Sequence, residues 1–270
     1  MLRSSGRRAH ASISSCVLTR NQGDADVETP KDSYPQLLSL AVHEFRTPAS
    51  VVGGYLRMLQ RDTDSTLSDR QRKMIDEAEK SCARLVAIVA ELSDVAKLDA
   101  GLVKLAQQPT DAFTLVAEVA GLVHEAKDRD VHLEVRGQAE GATISGDAVR
   151  LRSAFDAVFR AILREKPGQC VVVAERRIGK IDGRTSAIVI VAEEASVQAA
   201  YDREPGPFDE KRGGMGLALP LARRVIEGHG GRVWAPAPLG GAREPGSAWN
   251  DDALARGSAV ISLPITELPR

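Results

Sequence analysis

Apolar residues recur at three- and four-residue intervals along two stretches of the first hundred residues, which predicts two amphipathic helices. The first helix is predicted over about 34–60, and a polar turn follows at 61–67. Ser68 and Gln71 then match a capping box, with Ser68 as the N-cap and Gln71 reaching back to it. The second helix is predicted to begin there and to run to about Asp99.

Two amphipathic helices joined by a short turn form an antiparallel hairpin. Such a hairpin cannot cover both of its own apolar stripes. Pairing with a second copy would bury them in a four-helix bundle, so the pattern predicts a homodimer. The alternative is that the hairpin packs against the rest of its own chain.

The pattern changes after about residue 102, where shorter helices alternate with runs of period two. Helices are predicted at about 109–128, 148–164 and 214–228, and strands at about 131–135, 143–145, 170–175, 186–193, 232–234 and 258–263. A polar loop is predicted at 195–213 and a surface insertion at 236–257. This order predicts an α/β sandwich, a mixed sheet covered on one face by three helices.

Composition adds little to this picture. The 270 residues are 43% hydrophobic and carry a formal net charge of −1, which gives no electrostatic reason to expect nucleic acid or an anionic membrane as partner. The three cysteines lie far apart, which favours reduced thiols in a cytoplasmic protein. No apolar run is long enough to predict a transmembrane helix.

Residues 1–33 are polar and lack periodicity, so we expect a disordered tail. Their arginines and serines are also compatible with an organellar transit peptide, which we consider the weaker interpretation. About 33 residues are too few to fold a sensor domain, so any signal is expected from a separate sensor protein.

The first helix contains a candidate functional motif, His43-Glu44-Phe45-Arg46-Thr47-Pro48. A lone histidine on a helix is more often structural or solvated than functional. Here Glu44 adjoins the ring and Thr47 lies one turn further on. Pro48 removes a backbone donor and is expected to loosen the helix at the carbonyl of Glu44.

All six positions of this run resemble the phosphoacceptor box of sensor histidine kinases. The resemblance implies that His43 accepts a phosphoryl group from ATP and passes it to an aspartate in the receiver domain of a response regulator. It implies that Glu44 orients the ring, and that Thr47 takes part in dephosphorylating the partner. The alternative, non-functional interpretation is that Glu44 and Thr47 simply lie on a solvent-exposed face of the helix.

The second half resembles the family's ATP-binding domain, which shares its fold with gyrase, heat-shock-chaperone and mismatch-repair ATPases. Gly213-Gly214-Met215-Gly216-Leu217-Ala218-Leu219 and the later His229-Gly230-Gly231 resemble the second glycine box and the helix after it. Glycines at a helix N-terminus let backbone amides approach phosphate oxygens. The resemblance implies that nucleotide binds at Gly214, Met215, Gly216 and Leu217, with Phe208 as the aromatic of a lid.

Two other boxes depart from the family pattern. The magnesium-binding asparagine falls at Ala161, or at Arg160 after a one-residue shift, and neither supplies the oxygen ligand that Mg²⁺ requires. The first glycine box has lost its glycines. The family aspartate that accepts a hydrogen bond from the adenine amino group is replaced by Glu193, or by Glu194 if the strand faces alternate the other way, and either glutamate keeps an acceptor.

The sequence therefore predicts a soluble two-component histidine kinase with ATP as phosphoryl donor and Mg²⁺ as an uncertain cofactor. We assign 1–33 to the tail, 34–101 to the dimerisation and phosphoacceptor domain, and 102–270 to a degenerate ATP-binding domain. The alternative is an impaired homologue that acts as a phosphotransfer hub, phosphatase or scaffold. A chaperone- or gyrase-type ATPase is disfavoured because it would not need His43.

Overall fold

The structure is a computed structural model that describes residues 30–61, 67–124, 127–238 and 252–266. The predicted tail, apart from its last four residues, lies outside the described residues, as do most of the predicted turn and much of the predicted insertion. In the part of the chain that is described, no helix is long and apolar enough to cross a membrane.

Two long helices form the predicted hairpin, α1 (Pro30–Arg61) and α2 (Asp69–Asp99). The capping box at the start of α2 is confirmed, because the Ser68 and Gln71 side chains each accept from the other residue's backbone amide. Helix α1 continues through Pro48 without a break, so the predicted loosening does not interrupt it.

The two helices of the hairpin approach closely at one level. The thiol of Cys82 donates a hydrogen bond of 3.1 Å to the carbonyl of Ala49. A Cβ atom on Gly53 would lie 3.2 Å from that sulfur, so glycine at this position fits the close approach. Nearer the turn, the side-chain amide of Gln60 donates to Asp76.

The remaining elements form an α/β sandwich, which confirms the predicted fold class. They are β1 (Gln108–Asp111), α3 (Ala112–Leu122), β2 (Val131–Gly137), β3 (Thr143–Gly146), α4 (Ala148–Glu165), β4 (Cys170–Ile181), β5 (Arg184–Glu193), α5 (Val197–Asp202), β6 (Pro205–Gly206), α6 (Ala218–Gly228), β7 (Arg232–Pro236), α7 (Ala253–Arg256) and β8 (Ala259–Pro264). The main sheet has the order β2-β4-β5-β8-β7-β6, in which only β2 and β4 pair in parallel. Strands β1 and β3 form a separate pair.

Helices α3, α4 and α6 cover one face of the sheet, as predicted. Side chains of β5 alternate between the two faces of the sheet. Val189 and Val191 lie in the core beneath these helices, while Ile188 and Ile190 lie on the opposite face. That second face is also covered, since Val197 of α5 packs there with Trp234 and the β5 isoleucines. The prediction of helices on one face only was therefore incomplete.

Several predicted boundaries were wrong. Residues 108–111 form β1 rather than the start of a helix, and α3 ends at Leu122 instead of about 128. The predicted loop at 195–213 contains α5, and the predicted insertion contains α7. Helix α6 begins at Ala218 rather than Gly214, because the glycines before it have positive φ angles that a right-handed helix excludes.

Asp111 at the start of α3 provides a stability test. Its carboxylate accepts from the backbone amides of Thr114, Gly141 and Ala142 at 2.8–2.9 Å. Burial raises the pKa of Asp111, but these three amides outweigh burial and hold the pKa below its ordinary value of 3.8. Because the folded-state pKa is depressed, the stabilisation is present above pH 3.8 and is lost as the pH falls through the folded-state pKa.

We expect Asp111→Asn to lower the free energy of unfolding by about 1.5–3 kcal/mol at neutral pH, because an amide cannot accept all three bonds. Urea denaturation at neutral pH and at about pH 3 measures the effect, and the difference from the parent protein should shrink in acid. Glu140→Gln, in the same loop, is the matched control and should change little. An equal loss at both pH values would contradict this account.

Candidate functional site

His43 stands on α1 with its side chain exposed to 78%, and Glu44 beside it is exposed to 73%. The Nδ1 atom of His43 lies 3.7 Å from Oε1 of Glu44, which is beyond ordinary hydrogen-bond length. Glu44 therefore provides an electrostatic neighbour for Nδ1 and leaves Nε2 free of that contact. Thr47 is exposed one turn further along the helix.

The hairpin around His43 presents many uncovered apolar side chains. Val42 and Cys82 are buried between the helices, and Phe45 next to the box is 62% exposed. Among the hairpin side chains that the structure describes, further exposed large apolar residues are Leu40, Val51, Val52, Tyr55, Met58, Leu59, Met74, Leu85 and Ile88. Exposed apolar area of this extent indicates a surface that another chain covers.

The predicted nucleotide-binding residues lie in the turn that leads into α6. Gly213, Gly214 and Gly216 all have φ near +60°, and a Cβ atom on Gly214 or Gly216 would meet nothing within 4 Å. Met215 packs against the main core, which anchors the turn. The exposed glycine backbone is an open cradle of the kind that accepts phosphate oxygens.

Ala161 lies on α4 directly beneath this turn. It is fully buried, and a Cβ atom on Gly213 would approach within 2.8 Å of the Ala161 Cα atom. Arg160, the alternative position for the magnesium ligand, pairs with Asp156 at 2.8 Å. Ala161 thus offers no oxygen ligand and Arg160 is paired with a carboxylate, so the two residues at which the sequence predicts a magnesium ligand do not fit that ion.

Glu193 ends β5 on the face covered by the three helices, in phase with Val189 and Val191. Glu193 is therefore the one of the two glutamates on the helix-covered face, and Glu194 pairs with Arg136. The Glu193 carboxylate already has an internal partner, the ammonium group of Lys166 at 3.5 Å. Lys166 is largely buried, and no local pattern predicts this pair between residues 27 positions apart.

The segment before the glycine turn is fixed to the body of the domain. Phe208 is buried in the main core, and the Arg212 guanidinium stacks 4.7 Å from its ring centre. Arg212 is itself buried and donates to the carbonyls of Asp209, Arg256 and Ser258. The predicted lid aromatic is therefore an anchor, held by an arginine that sequence reasoning did not single out.

His229, from the His-Gly-Gly run, has a structural role. Its Nε2 accepts from the backbone amide of Asp147 at 2.9 Å, and its Nδ1 donates to the carbonyl of Val225 at 2.6 Å. The Asp147 side chain in turn caps α4. These bonds tie the C-terminal end of α6 to the start of α4.

Helix α2 contacts the α/β sandwich along its last three turns. Asp99 makes two hydrogen bonds to Arg224 of α6, at 2.6 and 3.0 Å. Asp94 lies 4.0 Å from Arg150 of α4. A cavity of about 550 Å³ opens between these three helices.

Comparison with known proteins agrees with this architecture. The family "His Kinase A (phospho-acceptor) domain" matches residues 36–101. The chain is 26% identical over 230 residues to sensor protein DivL of Caulobacter vibrioides, covering 82% of this chain and 28% of DivL. It is 28% identical over 214 residues to sensor protein GacS of Pseudomonas syringae pv. syringae, covering 73% of this chain and 23% of GacS.

Among solved structures, full-length ShkA in complex with AMPPNP matches with a TM-score of 0.60 and 22% identity, covering 87% of this chain and 47% of ShkA. That likeness concerns the fold. The hairpin is thus a histidine phospho-acceptor domain of the His Kinase A family. The chain as a whole is similar to the sensor proteins DivL and GacS, and it spans about a quarter of the length of these two curated relatives.

Proposed function

We propose that this chain is a phosphotransfer protein of a two-component phosphorelay, in which His43 exchanges a phosphoryl group with the receiver-domain aspartate of a response regulator. The observation that carries the proposal is the complete phosphoacceptor box with its histidine exposed on the outer side of a helical hairpin. An exposed imidazole on a rigid helix can reach a phosphorus atom held by another protein.

In the proposed reaction, a lone pair of His43 forms the new N–P bond and the aspartyl carboxylate of the receiver leaves. Nδ1 faces Glu44, so Nε2 is the nitrogen we assign to the attack. The proton on the other ring nitrogen then passes to Glu44 or to solvent, which leaves an uncharged imidazole ring that carries the anionic phosphoryl group. Thr47, one turn away, is assigned to positioning a water molecule that hydrolyses the aspartyl phosphate of the receiver domain.

The geometry favours another protein, rather than the chain's own nucleotide domain, as the source of the phosphoryl group. Phosphoryl transfer from ATP depends on a metal that positions the γ-phosphate. Ala161 offers no ligand and is packed beneath Gly213, while Glu193 is paired with Lys166. In this proposal the α/β sandwich is a regulatory domain.

Autophosphorylation from ATP is the second candidate. It is favoured by the open backbone around Gly214 and Gly216, which keeps the form of a phosphate cradle. Both candidates use His43, Glu44 and Thr47 in the same roles, and they differ in the donor.

The exposed apolar face of the hairpin supports a homodimer built as a four-helix bundle. We expect analytical ultracentrifugation to give twice the chain mass of 28.9 kDa at micromolar concentration. Tyr55→Glu combined with Met58→Glu should shift the protein to monomer, because two charges would be buried in the bundle. Leu122→Glu, an exposed apolar residue outside the hairpin, is the control and should leave the mass unchanged.

Small-molecule labelling tests the proposed acceptor without a partner. Radiolabelled phosphoramidate donates phosphoryl groups to accessible imidazoles, and we expect acid-labile, base-stable label on His43. Label from a panel of phosphorylated receiver domains should reach the same residue. Labelling of the protein elsewhere, with none on His43, would overturn the proposal.

A further inference from the structure

Three consecutive residues at the end of α4 bind groups on the side of the sandwich where the sequence predicts nucleotide contacts. The Arg164 guanidinium donates to the carbonyl of Gly213 at 3.2 Å, and the Glu165 carboxylate accepts from the amide of the same glycine at 3.0 Å. The Lys166 ammonium lies 3.5 Å from the carboxylate of Glu193. These three residues, which we call the α4 clasp, therefore hold both the start of the glycine turn and the acid at the predicted base-binding position.

The α4 clasp is itself fixed in place by two arginines. Arg129 donates to the carbonyls of Arg164 and Lys166 at 3.3 and 2.6 Å, which satisfies acceptors at the C-terminal end of α4. The second carboxylate oxygen of Glu165 lies 3.5 Å from Nε of Arg256, at the end of α7. Both the backbone and the carboxylate of the clasp are thus bound by other parts of the sandwich.

Lys166 fills the space beside Glu193. Its side chain is only 9% exposed, and a Cβ atom on Gly257 would lie 2.8 Å from its Nζ atom. The ammonium group therefore packs directly against the backbone that connects α7 with β8. The amino group of a base is a neutral donor, which binds a carboxylate less strongly than an ammonium group does. A base could take Glu193 as its acceptor here only by displacing the stronger partner from a largely buried place.

Glu165 takes two groups that favour phosphate on the other side of the same site. The amide of Gly213 already donates to its carboxylate and cannot also donate to a phosphate oxygen. The guanidinium of Arg256, a cation that would attract phosphate, is paired with the same carboxylate. The open backbone at Gly214 and Gly216 follows directly, so the cradle keeps its form but lacks a donor and a counter-charge beside it.

We propose that the α4 clasp is an internal ligand of the sandwich, which occupies the nucleotide site and makes the fold independent of nucleotide. ATP then binds only weakly, with a Kd above about 1 mM, because it must break both the Lys166–Glu193 pair and the bonds of Glu165. This inference rests on the proposed function, in which another protein supplies the phosphoryl group. It adds that the sandwich keeps one state whether or not nucleotide is present.

Isothermal titration calorimetry of the full chain without Mg²⁺ tests the clasp with two probes, ATP and inorganic tripolyphosphate. The parent should show no saturable binding of either probe up to about 1 mM. Lys166→Met removes the ammonium group and keeps the length of the side chain, so we expect about tenfold tighter binding of ATP and still none of tripolyphosphate, which has no base. Glu165→Gln removes the charge that neutralises Arg256, so about tenfold tighter binding of both probes is expected.

Two exposed residues provide matched controls for these substitutions. Lys180→Met replaces a lysine near the tip of the β4–β5 hairpin, and Glu118→Gln replaces a glutamate that pairs with an arginine, Arg152, on the surface. Neither control should change the affinity for either probe. Urea denaturation of each variant establishes that it is folded before it is titrated.

Hydrogen exchange of the parent, followed by NMR, tests the clasp without any substitution. The Gly213 amide should exchange slowly in the absence of nucleotide, and Glu165→Ala should raise its exchange rate at least about tenfold. A submillimolar Kd of the parent for ATP, fast exchange of the Gly213 amide in the parent, or a folded Lys166→Met or Glu165→Gln protein that binds ATP no more tightly than the parent would each overturn the inference. Phosphoramidate labelling of His43 is independent of these results and tests the proposed acceptor separately.

Discussion

His43→Gln is expected to abolish the acid-labile label transferred from phosphorylated receiver domains, and to remove from the phosphoramidate reaction only the label that residue 43 carries. Glutamine has no lone pair on nitrogen that can attack phosphorus, because its amide nitrogen is conjugated with the carbonyl. The side chain is 78% exposed, so the free energy of unfolding should change by no more than about 0.5 kcal/mol. Labelling and urea denaturation of the same preparation measure both quantities.

His132 offers a matched control for this substitution. It is an exposed histidine with a carboxylate neighbour, since its Nε2 lies 2.7 Å from Oδ1 of Asp130. His132→Gln should leave transfer from receiver domains unchanged, because that histidine lies on β2 outside the phosphoacceptor hairpin. Transfer that survives in His43→Gln and disappears in His132→Gln would contradict the assignment.

Gly213→Ala is expected to destabilise the fold by about 2–5 kcal/mol. The left-handed φ of +63° at this position costs about 1–2 kcal/mol for alanine. The new Cβ atom would also lie 2.8 Å from the Ala161 Cα atom and 3.0 Å from its carbonyl oxygen, and overpacking of this kind adds about 1–3 kcal/mol. Chemical denaturation of the full chain measures the sum.

Gly214→Ala separates the two contributions. Its φ is +60°, and an added Cβ atom would meet nothing within 4 Å, so only the backbone term of about 1–2 kcal/mol is expected. The difference between the two variants measures the contact with Ala161. Equal losses would show that the glycine turn does not press on α4, and the argument against a metal at that position would lose its structural support.

The sequence predicts most accurately the elements whose periodic apolar pattern extends over many residues and is bounded by a local start or stop signal. The hairpin follows from two 30-residue apolar patterns and a capping box, and α4 follows from the Asp147 cap and the proline after Lys166. Strand β1 and helix α5 were missed because elements of four and six residues carry too few positions to show a period. Their formation depends on pairing with β3 and on the second face of the sheet.

The candidate site shows the same difference between local patterns, which the sequence reveals, and long-range contacts, which it does not. His43, Glu44 and Thr47 are adjacent in sequence, so their pattern is visible without a structure. The partner of Glu193 is distant in sequence, since its carboxylate pairs with Lys166 at the end of α4. Ala161 and Glu193 are visible in the sequence as departures from the family pattern. Only the fold shows what each residue contacts, which is Gly213 for Ala161 and Lys166 for Glu193.

The donor of the phosphoryl group is the central claim, and incubation of the purified full chain with γ-labelled ATP and Mg²⁺ tests it most directly. A parallel reaction supplies label from phosphorylated receiver domains. The account predicts no His43-dependent label from ATP and clear His43-dependent label from a receiver. Magnesium-dependent label from ATP that disappears in His43→Gln would contradict it and would establish the chain as an autokinase.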